Sequence, residues 1–240
     1  MAVTQSSLTT GQSASDVTSA TTASIAPTSN RLVLLAVYHR GTSIPSNPAV
    51  ISGNGLIWVL VTTGNAGDSP AHLLEVFRAM GSAPSSGTVD ISFSGQTQHN
   101  IMWSIMEFDG IDTSGTNGSG AIAQSKSTGA FPSATASTTL DSAPAGTSAT
   151  YGAAQFNVGT STTSPGTGFT EVHEQSSVGK LVDMETEWRA DAVQTISATN
   201  TLSANNSMSG IEIKAAAAAA AVPGHGALLS GIRNQVIQRV

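Results

Sequence analysis

The chain has 240 residues, a net charge of -6 and only 10% charged residues. Its length suits one large β domain with terminal extensions. The weak acidic charge excludes a basic surface for nucleic acid or anionic lipid. The absence of Cys excludes disulfides and thiolate metal sites, so stability depends on packing or assembly.

The first twenty residues are rich in Ser and Thr, and their apolar residues are widely spaced. This pattern predicts an N-terminal extended arm over residues 1–20, or a weak edge strand. The segment lacks the basic and apolar regions of a signal peptide, and no window of the chain approaches 18 uninterrupted apolar residues. We therefore expect neither a classical secretory precursor nor a membrane-spanning protein.

Two continuous apolar runs predict central strands. Residues 31–39 and 101–108 are both rich in aliphatic residues, are too short for a spanning helix, and are bounded by polar or turn residues. A strand in which both alternating faces are apolar is typical of the middle of a sheet that is covered on both sides.

The remaining strand patterns are weaker. Residues 56–63 and 73–80 each follow a turn signal, and Val89, Ile91 and Phe93 alternate with polar residues at a period of two. Further weak strands are predicted at residues 121–125, 134–140, 149–158, 169–174, 180–189, 193–198 and 208–214. With turn residues at short intervals and no long amphipathic segment between strands, residues 21–214 are predicted to form an all-β, antiparallel two-sheet β-sandwich.

The C-terminus has a different pattern. After an alanine run at residues 215–221, apolar residues recur at helical spacing, which predicts a linker and a short amphipathic helix within residues 215–240. The tail contains Arg233 and Arg239 and no acidic residue, so its charge is opposite to that of the body. A lone helix of this length is marginal in water, so it needs a surface to cover, either on its own sandwich or on a neighbouring subunit. The candidate docking residues are Leu228, Leu229, Ile232, Arg233, Val236, Ile237 and Arg239.

No motif carries a specific chemistry. The five histidines are scattered and none forms a ligand pair, so no zinc site is expected. The acid- and Gly-rich segment 109–118 has the composition of a calcium loop but lacks its alternating acids and closing Glu, which favours a plain turn. No cofactor is predicted.

One pair of acids lies beside a tryptophan. Glu185 and Glu187 are two residues apart on a predicted strand, which places both carboxylates on one face. Such a pair could serve glycoside hydrolysis, but solvated acids on an exposed strand face are more common. Trp188 could be exposed next to them, and these three residues are therefore candidates for glycan contact.

Several segments share a family resemblance. Gly55–Trp58, Glu75–Val89 and Trp103–Asp112, together with the later Pro165–Thr170, resemble a recurrent jelly-roll β-sandwich module of phage structural proteins, found also in bacterial surface proteins. The likeness covers about residues 22–214, and its motifs are strand and turn signatures without catalytic identity.

The resemblance implies a non-enzymatic virion protein. It would decorate the capsid or form part of the head or tail surface, on the outside of the particle, and its termini would bind the major capsid protein or another virion protein. A homo-oligomer is expected, with a trimer favoured. The alternative is a carbohydrate-binding or adhesive module that binds receptors on a phage or bacterial surface.

Overall fold

The computed structural model describes residues 2–66 and 69–218, and this part of the chain is all-β. Its strands are β1 (Thr4–Ser13), β2 (Ser19–Thr21), β3 (Leu32–Gly41), β4 (Val50–Gly53), β5 (Val59–Ala66), β6 (Ser69–Ala79), β7 (Val89–Ser92), β8 (Gln98–Asp109), β9 (Ile122–Thr139), β10 (Ala149–Phe156), β11 (Thr163–Ser164), β12 (Thr170–Ser177), β13 (Val182–Arg189) and β14 (Thr195–Ile213). Two short 3₁₀ segments, Ser119–Ala121 and Val178–Lys180, precede β9 and β13. The predicted C-terminal helix and its docking residues lie outside the described residues.

The central sheet has five antiparallel strands in the order β1-β8-β3-β6-β5. Its middle strands β3 and β8 are buried along almost their whole length. The prediction of two central strands is confirmed, because both faces of this sheet are covered by other layers and both therefore select apolar residues.

A second antiparallel sheet packs on one face of the central sheet. Its order is β11-β14-β10-β13-β12, and β9 pairs with β14. The cluster between the sheets includes Tyr38, Phe108 and Tyr151, with Phe108 and Tyr151 in edge-to-face contact at 6.3 Å. Ser104 and Thr186 share a hydroxyl hydrogen bond of 3.0 Å across this interface. The predicted all-β class with packed antiparallel sheets is therefore confirmed, although a third sheet adds to the two that the sequence predicts.

A small third sheet, β2-β7-β4, covers the opposite face of the central sheet. Val89, Ile91 and Phe93 are fully buried there against residues of β3 and β8. The sequence did not predict this layer, because β2 and β4 are too short to show a periodic pattern.

The β9–β14 ribbon is bent, with irregular pairing between Thr199 and Asn206. The part of the ribbon in which residues 195–199 pair with residues 135–139 lies over the outer face of the second sheet. It forms a third apolar cluster that contains Phe156 and Ile196. At Gly152 and Gly210 any Cβ atom would lie within 3.0 Å of the Ile196 side chain. The paired glycines therefore provide the space that allows the ribbon to pack so closely.

The segment predicted as an N-terminal arm contains β1 and β2. β1 is an edge strand of the central sheet and pairs with β8 from Thr4 to Ser13. On the opposite side of the molecule, β5 contacts β9 through a hydrogen bond of 2.7 Å between the Thr62 and Ser127 hydroxyls.

Candidate functional site

The acids of β13 form the most unusual polar group in the structure. Asp183, Glu185 and Glu187 alternate along the strand, so all three side chains lie on the outer face of the second sheet, beneath the bent ribbon. Glu185 and Glu187 are only 0% and 1% exposed. The prediction that these two carboxylates are solvated is therefore wrong, because the β9–β14 ribbon folds back over them.

The three acids differ in their hydrogen bonds. Asp183 accepts from Ser161 at 2.5 Å and from Asn200 at 3.0 Å, and Glu187 accepts from the Gly166 backbone N–H at 2.6 Å. Both carboxyl oxygens of Glu185 are buried and make no hydrogen bond within the described residues.

This environment favours the neutral form of the Glu185 carboxyl. Burial, and then the negative charges of Glu187, Glu171 and Glu174, raise its pKa to about 9. Burial raises the pKa of Glu187 to about 7, against the opposing effect of the Gly166 hydrogen bond. At neutral pH, Glu185 is thus a protonated acid buried beside other carboxyl groups.

Trp188 does not share a surface with these acids. Its side chain lies on the opposite face of β13, is half-buried, and packs edge-to-face on Phe108 at 6.3 Å within the main core. The structure therefore does not bring Trp188 together with Glu185 and Glu187 as one glycan platform.

The segment 109–118 forms a turn in which Asp112 is already paired. Its carboxylate accepts a hydrogen bond from the Ser114 backbone and forms a 2.8 Å ion pair with Lys214, and these contacts hold the pKa of Asp112 well below its usual range. Across residues 2–66 and 69–218, no group of three or more His, Cys, Asp or Glu side chains has a geometry that could hold a metal ion.

A buried Ser–His–Glu chain was not predicted from the sequence. His39 Nδ1 lies 3.0 Å from the Ser46 hydroxyl, and His39 Nε2 lies 3.1 Å from Glu75 Oε2. The order Ser–His–acid is that of a catalytic triad, but the two ring nitrogens are exchanged, because in a triad Nε2 faces the serine and Nδ1 faces the acid. Glu75 meets His39 because β3 pairs with β6, and Ser46 meets it because the loop after β3 folds back.

The surroundings of Ser46 argue against catalysis. Ser46 is only 4% exposed, its hydroxyl lies 3.0 Å from Gln98 Oε1, and a Cβ atom added at Gly41 would lie only 2.8 Å from that hydroxyl. No room is left beside the hydroxyl for a substrate carbonyl, whereas a triad serine must reach one. The network instead fixes the loop 41–49 on the sheet, since Glu75 also accepts from the Ala49 backbone N–H at 2.8 Å.

Other buried carboxylates hold loops in the same way. Glu107 accepts from the backbone and hydroxyl of Thr28 and from Arg31 at 2.7 Å. Glu212 accepts from the Ala145 backbone N–H, the Ser148 hydroxyl and Gln124. These acids connect strands to connecting segments, and their oxygens are occupied by protein donors.

No family model, no curated protein and no solved structure matches this chain. The fold therefore defines the protein only as a layered, antiparallel all-β protein. In its described residues, no helix has the length and apolar character needed to cross a membrane.

Proposed function

We propose that the chain is a non-enzymatic structural subunit on the surface of a virion. The observation that supports this function best is that four of its buried carboxylates brace loops or side chains of the same chain. Glu75, Glu107, Glu212 and Asp183 all accept hydrogen bonds from loops or side chains of the same chain. A polar interior used in this way rigidifies the fold, as a subunit under mechanical load requires.

The strand edges supply surfaces for assembly. β1 and β4 each pair with a single strand among the described residues, so each has a second edge of backbone donors and acceptors to offer. Val50 on β4 is 56% exposed. Strand addition by a segment of a neighbouring subunit would satisfy such an edge.

The tail is the proposed attachment element. Residues 215–216 still contact the body, where Ala216 donates to the Gly110 carbonyl at 2.8 Å. Beyond them, the apolar residues Leu229, Ile232 and Val236, flanked by Arg233 and Arg239, would bury apolar area on a neighbouring virion protein. The jelly-roll connection pattern, the homo-oligomeric state and the position on the outer surface belong to the same proposal.

The direct test is to locate the chain on particles. Particles purified from the virus that encodes it should contain the chain in many copies, by quantitative mass spectrometry, and cryo-electron microscopy should show the three-layer body on their outer surface. Absence from intact particles, or substrate turnover by the purified chain, would refute the proposal.

A truncation tests the attachment. A chain that ends at residue 218 should unfold at the same urea concentration as the full chain but should not rejoin stripped particles. A full-length Lys126→Gln variant, which changes one surface charge on the body, is the control and should rejoin them. Normal binding by the truncated chain would show that the tail is not the attachment element.

A further inference from the structure

A small pocket opens at one end of the interface between the two large sheets. Its volume is about 230 Å³, and it is lined by Arg40, His99, Gly179, Lys180 and Leu181. Arg40 follows Tyr38 on the inward-facing side of β3, and Lys180 and Leu181 belong to the connection between β12 and β13. Both sheets therefore contribute to its walls.

The pocket concentrates basic side chains on a chain of net negative charge. Arg40, His99 and Lys180 come from three separate elements and meet there. Asp16 already lies against two of them, with its Oδ1 atom 3.0 Å from both His99 Nδ1 and Lys180 Nζ. These hydrogen bonds, first that of His99 and then that of Lys180, lower the pKa of Asp16, so two of the pocket's basic side chains already face a carboxylate at its rim.

Arg40 is the donor that Asp16 does not use. Within the described part of the chain its guanidinium makes no ion pair and no hydrogen bond, whereas the other basic side chains there contact an acid or a carbonyl. Asn100 faces Arg40 across the β3–β8 ladder, is fully buried, and makes no side-chain hydrogen bond within the same residues. Unpaired buried amides are rare because they are costly, but Asn100 does not line the pocket, so Arg40 is the unpaired polar group that the pocket presents to a ligand.

The backbone beside the pocket is strained. Leu181 has φ 54° and ψ 56°, in the left-handed region, and its side chain is 57% exposed at the pocket wall. This conformation costs a leucine about 1–2 kcal/mol, and such strain concentrates where a ligand is held. No packing gain compensates at Leu181, because the side chain points largely to solvent.

We propose that this pocket binds a carboxylate-bearing ligand about the size of one sugar or amino-acid residue, with Arg40 as the principal contact and Lys180 sharing the charge. A planar guanidinium matches a carboxylate with two parallel hydrogen bonds. The volume is below the range of about 300–1,000 Å³ that holds drug-sized ligands, which limits the ligand to a single small unit. This site is independent of whether the protein assembles on a particle.

Calorimetric titration of the full chain with two small acids tests the proposal. D-glucuronate represents an acidic sugar and N-acetylaspartate amide an acidic side chain, while glucose and sulfate are the comparison ligands. Binding of either acid supports the site, and the tighter of the two identifies the source of the carboxylate. Absence of binding by both acids, equal binding of glucose, or tighter binding of sulfate would overturn it.

Variants then place the binding at Arg40. Arg40→Gln should raise the Kd of the bound acid by about tenfold or more, because it removes at least one charge-assisted hydrogen bond. Arg40→Lys keeps the charge and should show an intermediate loss, which keeps the test valid if the first variant unfolds. Lys126→Gln removes the same charge elsewhere and should bind normally. Unchanged affinity in both Arg40 variants would refute the assignment.

Discussion

Gly152 and Gly210 face each other across β10 and β14, and Ile196 fills the space above them. This contact fastens the bent β9–β14 ribbon to the second sheet and so covers the acids of β13. The fold of this region therefore depends on two positions where a side chain is missing.

Gly210→Ala is expected to destabilise the protein by about 1–3 kcal/mol, the usual cost of overpacking a core. The added Cβ would lie 2.3 Å from Ile196 Cδ1 and 2.8 Å from Thr138 Cγ2, so both side chains must move. Urea unfolding followed by tryptophan fluorescence measures the change. Gly146→Ala is the control, because a Cβ there meets nothing within 4 Å. Equal stability of the two variants would contradict the packing described above.

The buried Glu185 makes stability depend on pH. Its folded pKa of about 9 lies above the unfolded value of 4.5, so the folded state retains a proton that the unfolded state loses. The contribution of this carboxyl to the free energy of unfolding is therefore most favourable below about pH 4.5, and it is lost as the pH rises toward 9. Glu185→Gln replaces the neutral acid by a neutral amide, and should stabilise the protein by about 3 kcal/mol at pH 7 with little effect at pH 4.

Urea unfolding of wild type and Glu185→Gln at several pH values between 4 and 9 measures this difference. Asp141→Asn, at an exposed acid paired with Lys126, is the control and should leave the pH profile nearly parallel to that of the wild type. A Glu185→Gln difference that does not grow with pH would show that the carboxyl is ionised in the folded protein.

Glu107→Ala should be destabilising by about 1–3 kcal/mol, because it leaves the Thr28 donors and Arg31 Nη1 without their acceptor, while Arg31 Nη2 keeps its 3.2 Å pair with Asp109. Asp141→Ala breaks the exposed pair with Lys126 and should cost less than about 1 kcal/mol. The change in Tm of each variant, measured by thermal unfolding, distinguishes a buried hydrogen-bonded carboxylate from a surface ion pair. A small effect at Glu107 would mean that the loop 22–31 is held by other contacts.

Ser46 should be chemically inert despite its triad-like partners. A fluorophosphonate probe is expected not to label the folded protein, because the hydroxyl is enclosed by Gly41, Gln98 and His39. Ser46→Ala should lower stability by about 1 kcal/mol, the value of one buried hydrogen bond. Stoichiometric labelling at Ser46 would identify a serine hydrolase and refute the non-enzymatic proposal.

The sequence predicts best the strands that the structure covers on both sides. β3 and β8 were recognised because double-sided burial requires a continuous apolar run. β9 and β14 were each predicted as two shorter strands, because their bends are rich in Ser, Thr and Asn and carry no apolar pattern. β11 has only two residues, too few for any periodic signal.

The candidate sites were harder to predict for a physical reason. The spacing of Glu185 and Glu187 correctly implies a shared strand face, but only tertiary packing decides whether that face meets water or is covered by Ile196 and the rest of the β9–β14 ribbon. The Arg40 pocket likewise joins β3, β8 and the β12–β13 connection. Such contacts depend on how the sheets pack against each other, which local patterns do not encode.

The two large sheets are joined unequally along their sides. Near β5, the hydroxyls of Thr62, Ser127 and Ser209 form a continuous hydrogen-bonded row, while near β1 the solvent-exposed Asp16–Lys180 ion pair connects the first segment to the second sheet. A screened ion pair yields more readily than a packed row of hydroxyls, so thermal opening of the molecule should begin beside Asp16. Amide exchange there would quicken at high salt, and the same loosening would widen the entrance to the Arg40 pocket.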